Sequence, residues 1–156
     1  MVFLEALHNQ ENKDMSQISN LYHHIKEHIE SVRKIPKFGT IDRASIEMVI
    51  NRACLILSLE SYLSIYREIH GSLFVSLNGK DALIHLIVNK YKWPISTVRA
   101  MSLSDMLLSI SDELKFDNLT EDCQTFLTTI EYSKYLCQFD DILEDEWDPT
   151  ISALYL

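Results

Sequence analysis

The sequence predicts an all-α protein that folds as a single domain over residues 1–156, a bundle of five or six helices around a central apolar helix. Apolar residues recur three and four positions apart along most of the chain, which is the period of a helix that faces a core. Only three glycines and three prolines interrupt the 156 residues, and 47% of the residues are hydrophobic. This composition disfavours a turn-rich β architecture. A chain of this length buries roughly 70% of the surface that its unfolded form exposes, so one core is sufficient.

A first helix is predicted to begin at Asp14, because Gln17 follows at the reciprocal position of a capping box. It stops before Pro36. The predicted core-facing residues of this helix are Met15, Ile18, Tyr22, Ile25, Ile29 and Val32. The stripe lasts less than three heptads, which favours packing within one domain over a coiled coil.

A second helix is predicted to begin after Asp42, a suitable N-cap, with Ile41 and Ile46 spaced as a hydrophobic staple. Between residues 53 and 69 it is apolar around most of its circumference, which is typical of a helix enclosed by others. Gly71 is expected to end it. This is the predicted central helix.

Residues 72–90 can be interpreted in two ways. Asn78-Gly79 between apolar segments is a common hairpin turn, whereas the residues after Asn78 have helical spacing. Helix is the preferred interpretation, both for 73–77 and for the part after Asn78, and Trp93-Pro94 is expected to break it. A short turn is predicted for residues 95–101.

Two more helices are predicted in the last third of the chain. Ser102 and Asp105 resemble a capping box, which leads into apolar residues that extend to Leu114. Thr120 is a suitable cap for the last predicted helix, which runs toward Tyr135. Whether that helix continues to Leu143 stays open, because acids at a helix C-terminus oppose the helix dipole.

Few residues suggest catalysis. His24, Glu27 and His28 match the inverted zinc motif H-x-x-E-H, but a catalytic zinc needs a third protein ligand and none is evident. The pair of Arg67 and His70 lacks any wider motif. Phosphate-binding and serine-hydrolase motifs are absent from the sequence. We therefore expect no enzymatic activity, no metal and no cofactor.

The cysteines and the apolar runs indicate a cellular compartment. Cys54, Cys123 and Cys137 form no C-x-x-C pair, so reduced thiols in the cytoplasm are expected. Cys54 lies in the apolar run of the second helix and is predicted to be buried and inert. No secretory signal is apparent, and the longest uninterrupted apolar runs fall far short of the roughly 20 residues of a membrane span. No membrane contact is expected.

Charge is distributed unevenly along the chain. The net charge is −9, and residues 101–156 carry 13 carboxylates against two lysines, which gives −11 for that part and +2 for residues 1–100. Such a balance repels phosphate and argues against nucleic-acid binding. It attracts a basic protein instead.

The residues 140–148, called here the acidic segment, are the predicted partner-binding site. Six acids lie within nine residues there, next to a large aromatic side chain. The charges would steer association, and the tryptophan would act as an anchor that becomes buried in the interface. The predicted site residues are Asp140, Asp141, Glu144, Asp145, Glu146, Trp147 and Asp148. The same segment could instead serve only as a solvated tail that keeps the protein soluble.

In its size, its helical patterning and the segment Phe139–Asp148, the chain resembles the small acidic all-helical immunity proteins of bacteria, in particular those of contact-dependent growth inhibition. The resemblance implies an inhibitor that neutralises a basic, nuclease-like toxin domain by covering its active or substrate-binding surface. The alternative that remains open is an adaptor or assembly accessory protein, which binds its partner without inhibiting it.

Overall fold

The computed structural model describes residues 1–156, with the side chains of residues 1–2 and 4–156. The described backbone contains seven α-helices and no β-strand, so the predicted all-α class is confirmed. The helices are α1 (Val2–Val32), α2 (Arg43–His70), α3 (Asp81–Tyr91), α4 (Ile95–Arg99), α5 (Leu103–Ser109), α6 (Glu121–Thr129) and α7 (Pro149–Ser152). Single turns of 3₁₀ helix lie at Phe116–Asn118, Tyr132–Lys134 and Glu144–Glu146.

Helix α2 is the central element. It packs against α1, α3 and α6, and its buried residues lie on most sides of the helix, among them Cys54, Leu57, Leu59 and Leu63. Judged by length and composition alone, α2 could also cross a membrane. More than half of its apolar stretch is buried inside the protein, as in the core helix of a soluble protein, so this is weak evidence for a membrane span.

The first helix is longer than the sequence predicts. It begins at Val2, and Asp14 lies inside it, where its carboxylate accepts a hydrogen bond from Gln10 Nε2 at 2.9 Å. The prediction that Asp14 starts the helix is therefore wrong. Residues 9–13 are polar but include good helix formers such as Glu, Gln and Lys, which continue a helix without burial. The predicted stripe faces the core, with Ile18 and Ile29 fully buried.

Both predicted ends of α2 are confirmed. The backbone N–H of Ser45 donates to Asp42 Oδ1 at 2.8 Å, which satisfies one of the free donors of the first turn. At the other end, Gly71 N–H donates to the carbonyl of Arg67 at 2.8 Å. A Cβ atom on Gly71 would lie 2.5 Å from that carbonyl oxygen, so the close approach requires glycine.

Residues 72–80 form neither of the two predicted structures. The helix preferred for 73–77 is wrong, and the hairpin is absent from the described backbone; this stretch is an irregular loop with turns. Helix α3 follows from Asp81 and has the predicted spacing, and Lys92 in a left-handed conformation (φ 58°) ends it before Trp93-Pro94. The predicted turn at 95–101 contains the five-residue helix α4.

The last predicted helices are shorter than expected. Asp105 N–H donates to Ser102 Oγ at 3.1 Å, so this cap is confirmed, but α5 ends at Ser109 instead of Leu114. Helix α6 ends at Thr129 and does not reach Tyr135. Thr120 precedes α6, yet its hydroxyl lies 2.9 Å from the Ser61 hydroxyl of α2 and does not cap the helix.

The burial of the cysteines leads to a prediction of thiol reactivity. Burial raises the pKa of both the Cys54 and the Cys123 thiol to about 12, so neither forms a thiolate at neutral pH. Cys137 is only half-buried. We expect an aromatic disulfide reagent to label one thiol per native chain quickly and the other two only after unfolding. The variant Cys137→Ser should show no fast phase, and fast labelling in that variant would show that Cys54 of α2 or Cys123 of α6 is more exposed than the structure indicates.

Candidate functional site

The acidic segment lies against α1 and α2 as part of an irregular C-terminal stretch that follows α6. Its 3₁₀ turn at Glu144–Glu146 and the short helix α7 both contact α1. The segment is therefore a structured part of the domain, and each of its acids has a distinct environment.

Glu146 is the buried centre of the segment. Its side chain is fully buried and is bound by two arginines, because Arg33 Nε donates to Oε1 and Arg52 Nη1 donates to Oε2. The backbone N–H of Leu143 also donates to Oε2, at 3.3 Å. Arg33 closes α1 and Arg52 lies within α2, so this carboxylate joins the two long helices to the C-terminal segment.

Asp141 adds to the same cluster from the surface. Its carboxylate accepts a hydrogen bond from Arg33 Nη1 at 2.6 Å, and its carbonyl accepts from Arg33 Nη2 and Arg52 Nη2 at 2.8 and 2.9 Å. The hydrogen bond from Arg33 holds the pKa of the Asp141 carboxyl below its usual range. The Arg33 guanidinium also lies 4.0 Å from the centre of the Phe139 ring, a cation–π contact.

Trp147 is buried, and only 3% of it is exposed. Its indole Nε1–H donates to Glu60 Oε1, a carboxylate inside α2 that is itself buried. Burial raises the pKa of Glu60, and the hydrogen bond from Trp147 and the weaker effect of Arg67, whose Nη1 lies 3.5 Å from Oε2, partly offset the increase. The prediction that Trp147 is a surface anchor for a partner is corrected, since the indole needs the buried carboxylate and fills the core beside α2.

The remaining acids fulfil local roles. Glu144 accepts a hydrogen bond from the backbone N–H of Leu103 at 2.7 Å, which satisfies a free donor at the start of α5. Asp148 caps α7 by accepting from the N–H and hydroxyl of Thr150 at 3.0 and 2.6 Å, and the side-chain hydrogen bond lowers the pKa of Asp148. Asp140 is exposed.

The two histidines of the H-x-x-E-H motif also hold the C-terminal stretch. His28 Nε2 lies 2.6 Å from the carbonyl oxygen of Asp145, and His24 Nδ1 lies 2.9 Å from the Tyr155 hydroxyl. Among the described side chains, no group of three or more histidines, cysteines or carboxylates could hold a metal ion.

The predicted site is thus split into a surface part and a core part. Glu146 and Trp147 are buried and are withdrawn from the predicted partner surface, because a partner would first have to unfold the segment. Asp140, Asp141, Glu144 and Asp145 are exposed, and Asp148 is half-buried. Partner binding by these five residues stays a prediction.

A second acidic surface was not predicted from the sequence. A cleft of about 590 Å³ lies between the N-terminal half of α1 and the start of α6. Its lining residues are Glu11, Asn12, Asp14, Met15, Glu121, Asp122 and Thr125. The four carboxylates come from two stretches that are more than 100 residues apart in the sequence. Because the first helix is predicted to begin at Asp14, Glu11 was not expected to lie on it. The cleft therefore combines acids of the C-terminal third with acids of α1.

His70 and His85 lie close together in the fold, with ring centres 6.0 Å apart. Tyr66 stacks on His70 with ring centres 4.2 Å apart, and its hydroxyl lies 2.8 Å from His85 Nδ1. Arg67, in contrast, is held by the backbone carbonyls of Leu77 and Gly79. The contacts of Tyr66, His70 and His85 are thus aromatic packing at the surface, and Arg67 holds the loop that follows α2.

Comparison with known proteins identifies no relatives: no protein-family model, no curated protein and no solved structure matches the chain.

The buried cluster leads to a prediction of stability. Glu146→Gln removes the charge that compensates the buried Arg52 and the partly buried Arg33, and breaking a buried ion pair by removing one partner costs about 3–5 kcal/mol. We expect a large loss of unfolding free energy in denaturant titrations. The matched control Asp140→Asn changes the same charge at an exposed site and should stay within about 0.5 kcal/mol of wild type. Equal stabilities of the two variants would contradict the assignment of Glu146 as the junction.

Proposed function

We propose that this protein binds a basic protein through its acidic surface and inhibits it, in the manner of an immunity protein that neutralises a nuclease-like toxin domain. The observation that carries the proposal is the rigid attachment of exposed carboxylates. The acidic segment is fixed at Glu146 and Trp147, so that Asp140, Asp141 and Asp145 face solvent from an ordered backbone.

Preorganisation gives this surface a physical advantage over a flexible acidic tail. A disordered tail loses conformational entropy when it binds, whereas a fixed segment has already lost it on folding. Charges on a fixed surface also steer a basic partner into one orientation and raise the association rate. The burial of Glu146 between two arginines thus supports binding indirectly, by holding its neighbours.

The acidic cleft supports the same proposal. It contributes Glu11, Asp14, Glu121 and Asp122 to a concave surface, and the whole chain carries −9. One of the two lysines in residues 101–156 is already engaged, because Lys134 pairs with Glu131; Lys90 of α3 pairs with Asp112 and Glu113. An inhibitor of a nucleic-acid enzyme presents negative charge in place of the phosphates of the substrate.

The first experiment identifies the partner and its activity. Tagged protein is used to capture partners under native conditions at low ionic strength, and the retained protein is eluted with salt. We expect a basic protein whose nucleic-acid cleavage stops when the chain is added in equal amount. A partner whose activity is unchanged in the complex would favour the adaptor alternative and would overturn inhibition.

The second experiment tests the two acidic surfaces by binding kinetics. Asp140→Asn with Asp145→Asn removes two charges from the segment without loss of a side-chain contact, and Glu11→Gln with Glu121→Gln does the same in the cleft. We expect slower association with the captured partner and a weaker dependence on salt, because the field of exposed charges is screened over about 8 Å at physiological ionic strength.

A matched control separates local charge from net charge. Glu68→Gln with Asp81→Asn removes two exposed charges elsewhere and should alter association much less. If the association rate and salt dependence of both acidic variants equal those of the control, the carboxylates serve only solubility. Thermal melts should show that all three variants remain folded.

A further inference from the structure

Four apolar side chains lie in the solvent at the end of α2 and in the loop that follows it. Ile69, Leu73, Phe74 and Val75 are exposed to 69, 92, 93 and 61%, and we call them the apolar tip. Large exposed apolar groups next to one another are unusual on a monomeric protein and mark an interaction surface.

The loop that carries the apolar tip is ordered by its own hydrogen bonds. Ser72 N–H donates to the carbonyl of Val75 at 2.7 Å, and Val75 N–H donates to Ser72 Oγ at 3.0 Å. These bonds close a tight turn with Leu73 and Phe74 at its two central positions. Both side chains at these positions are almost fully exposed to solvent.

Arg67 fixes the rest of the loop to α2. Its Nε donates to the carbonyl of Leu77 at 3.0 Å and its Nη2 donates to the carbonyl of Gly79 at 3.1 Å. Leu77 itself is buried. The loop thus buries Leu77 and leaves Leu73 and Phe74 exposed.

The apolar tip is also uncharged in a strongly acidic protein. Residues 69–79 contain no Asp, Glu, Lys or Arg, and the exposed Glu68 and Lys80 flank them with opposite charges. Two copies of a chain with a net charge of −9 repel each other, and the repulsion is smallest for a contact whose surface carries no acids. The tip meets this condition.

We propose that the apolar tip is the contact by which two copies of this chain form a symmetric dimer. In a two-fold contact the same patch meets itself, so an uncharged apolar patch is self-complementary. Each subunit would also bring one acid and one base, Glu68 and Lys80, to the edge of the contact. A basic partner is drawn to carboxylates, which the tip lacks, and an anionic membrane attracts clusters of basic residues, which are also lacking there.

The area of the tip indicates a weak dimer. A buried aromatic side chain removes about 150–250 Å² from water, and a stable interface needs roughly 800 Å² per subunit. Four side chains supply a large part of this area, and the neighbouring residues must supply the rest. The dimer should therefore dissociate on dilution.

Sedimentation and light scattering at increasing protein concentration test the dimer directly. We expect the wild-type mass to rise from monomer to dimer as the concentration approaches about 1 mM. Leu73→Ser with Phe74→Ser should remain a monomer with an unchanged melting temperature, because both side chains are over 90% exposed. The matched control Leu136→Ser with Leu154→Ser alters two leucines exposed to 77 and 72% and should still dimerise.

Cross-linking tests the location of the contact. In a Cys137→Ser background, Leu73→Cys should form an intermolecular disulfide under mild oxidation, whereas Leu154→Cys should not. A wild type that stays monomeric, or a tip variant that dimerises normally, overturns the proposal. A monomer that binds phosphatidylcholine vesicles, with or without phosphatidylserine, through Leu73 and Phe74 would assign the tip to a lipid surface instead.

Discussion

The ion cluster around Glu146 is the interaction on which the C-terminal half of the structure depends. The guanidinium group of Arg52 is buried in α2 and that of Arg33 is partly buried at the end of α1, and moving an unpaired charge out of water costs far more than any single apolar contact contributes. The carboxylate of Glu146 compensates both. The path of residues 139–148 is consistent with this requirement, because Phe139 and Asp141 contact the same arginines and the backbone N–H of Leu143 donates to the Glu146 carboxylate.

A second buried carboxylate extends this arrangement across α2. Glu60 binds the Trp147 indole on one side and faces Arg67 on the other, and Arg67 holds the loop that follows α2. Two acids and three arginines thus connect the acidic segment, the central helix and the apolar tip. The group around Glu146 holds the exposed acids and the group around Glu60 reaches the loop of the exposed apolar side chains through Arg67; the two groups meet at the adjacent residues Glu146 and Trp147.

The sequence predicts the helices better than it predicts the site, for identifiable physical reasons. Periodicity and caps are local, so the ends of α2 at Asp42 and Gly71 could be predicted. The predicted helix lengths are wrong where a polar stretch continues a helix, as before Asp14 in α1. They are also wrong where a residue in the left-handed conformation follows the end of a helix, as Glu131 does after α6. The burial of Glu146 depends on Arg33 and Arg52, which lie about a hundred residues earlier, and no local pattern distinguishes this acid from the exposed Asp145.

The hydrogen bonds that join residues 33 and 146, 52 and 146, and 60 and 147 have a consequence for the order of folding during synthesis. Each spans 87 to 113 residues of chain. While the ribosome has produced only α1 and α2, the two helices lack the carboxylate that their arginines require, and Glu60 lacks the indole that binds it. Contacts this distant in sequence form late, since a long loop must close first. The emerging chain therefore stays incompletely packed until residues 146 and 147 have been synthesised. The short segment that contains them then completes the fold.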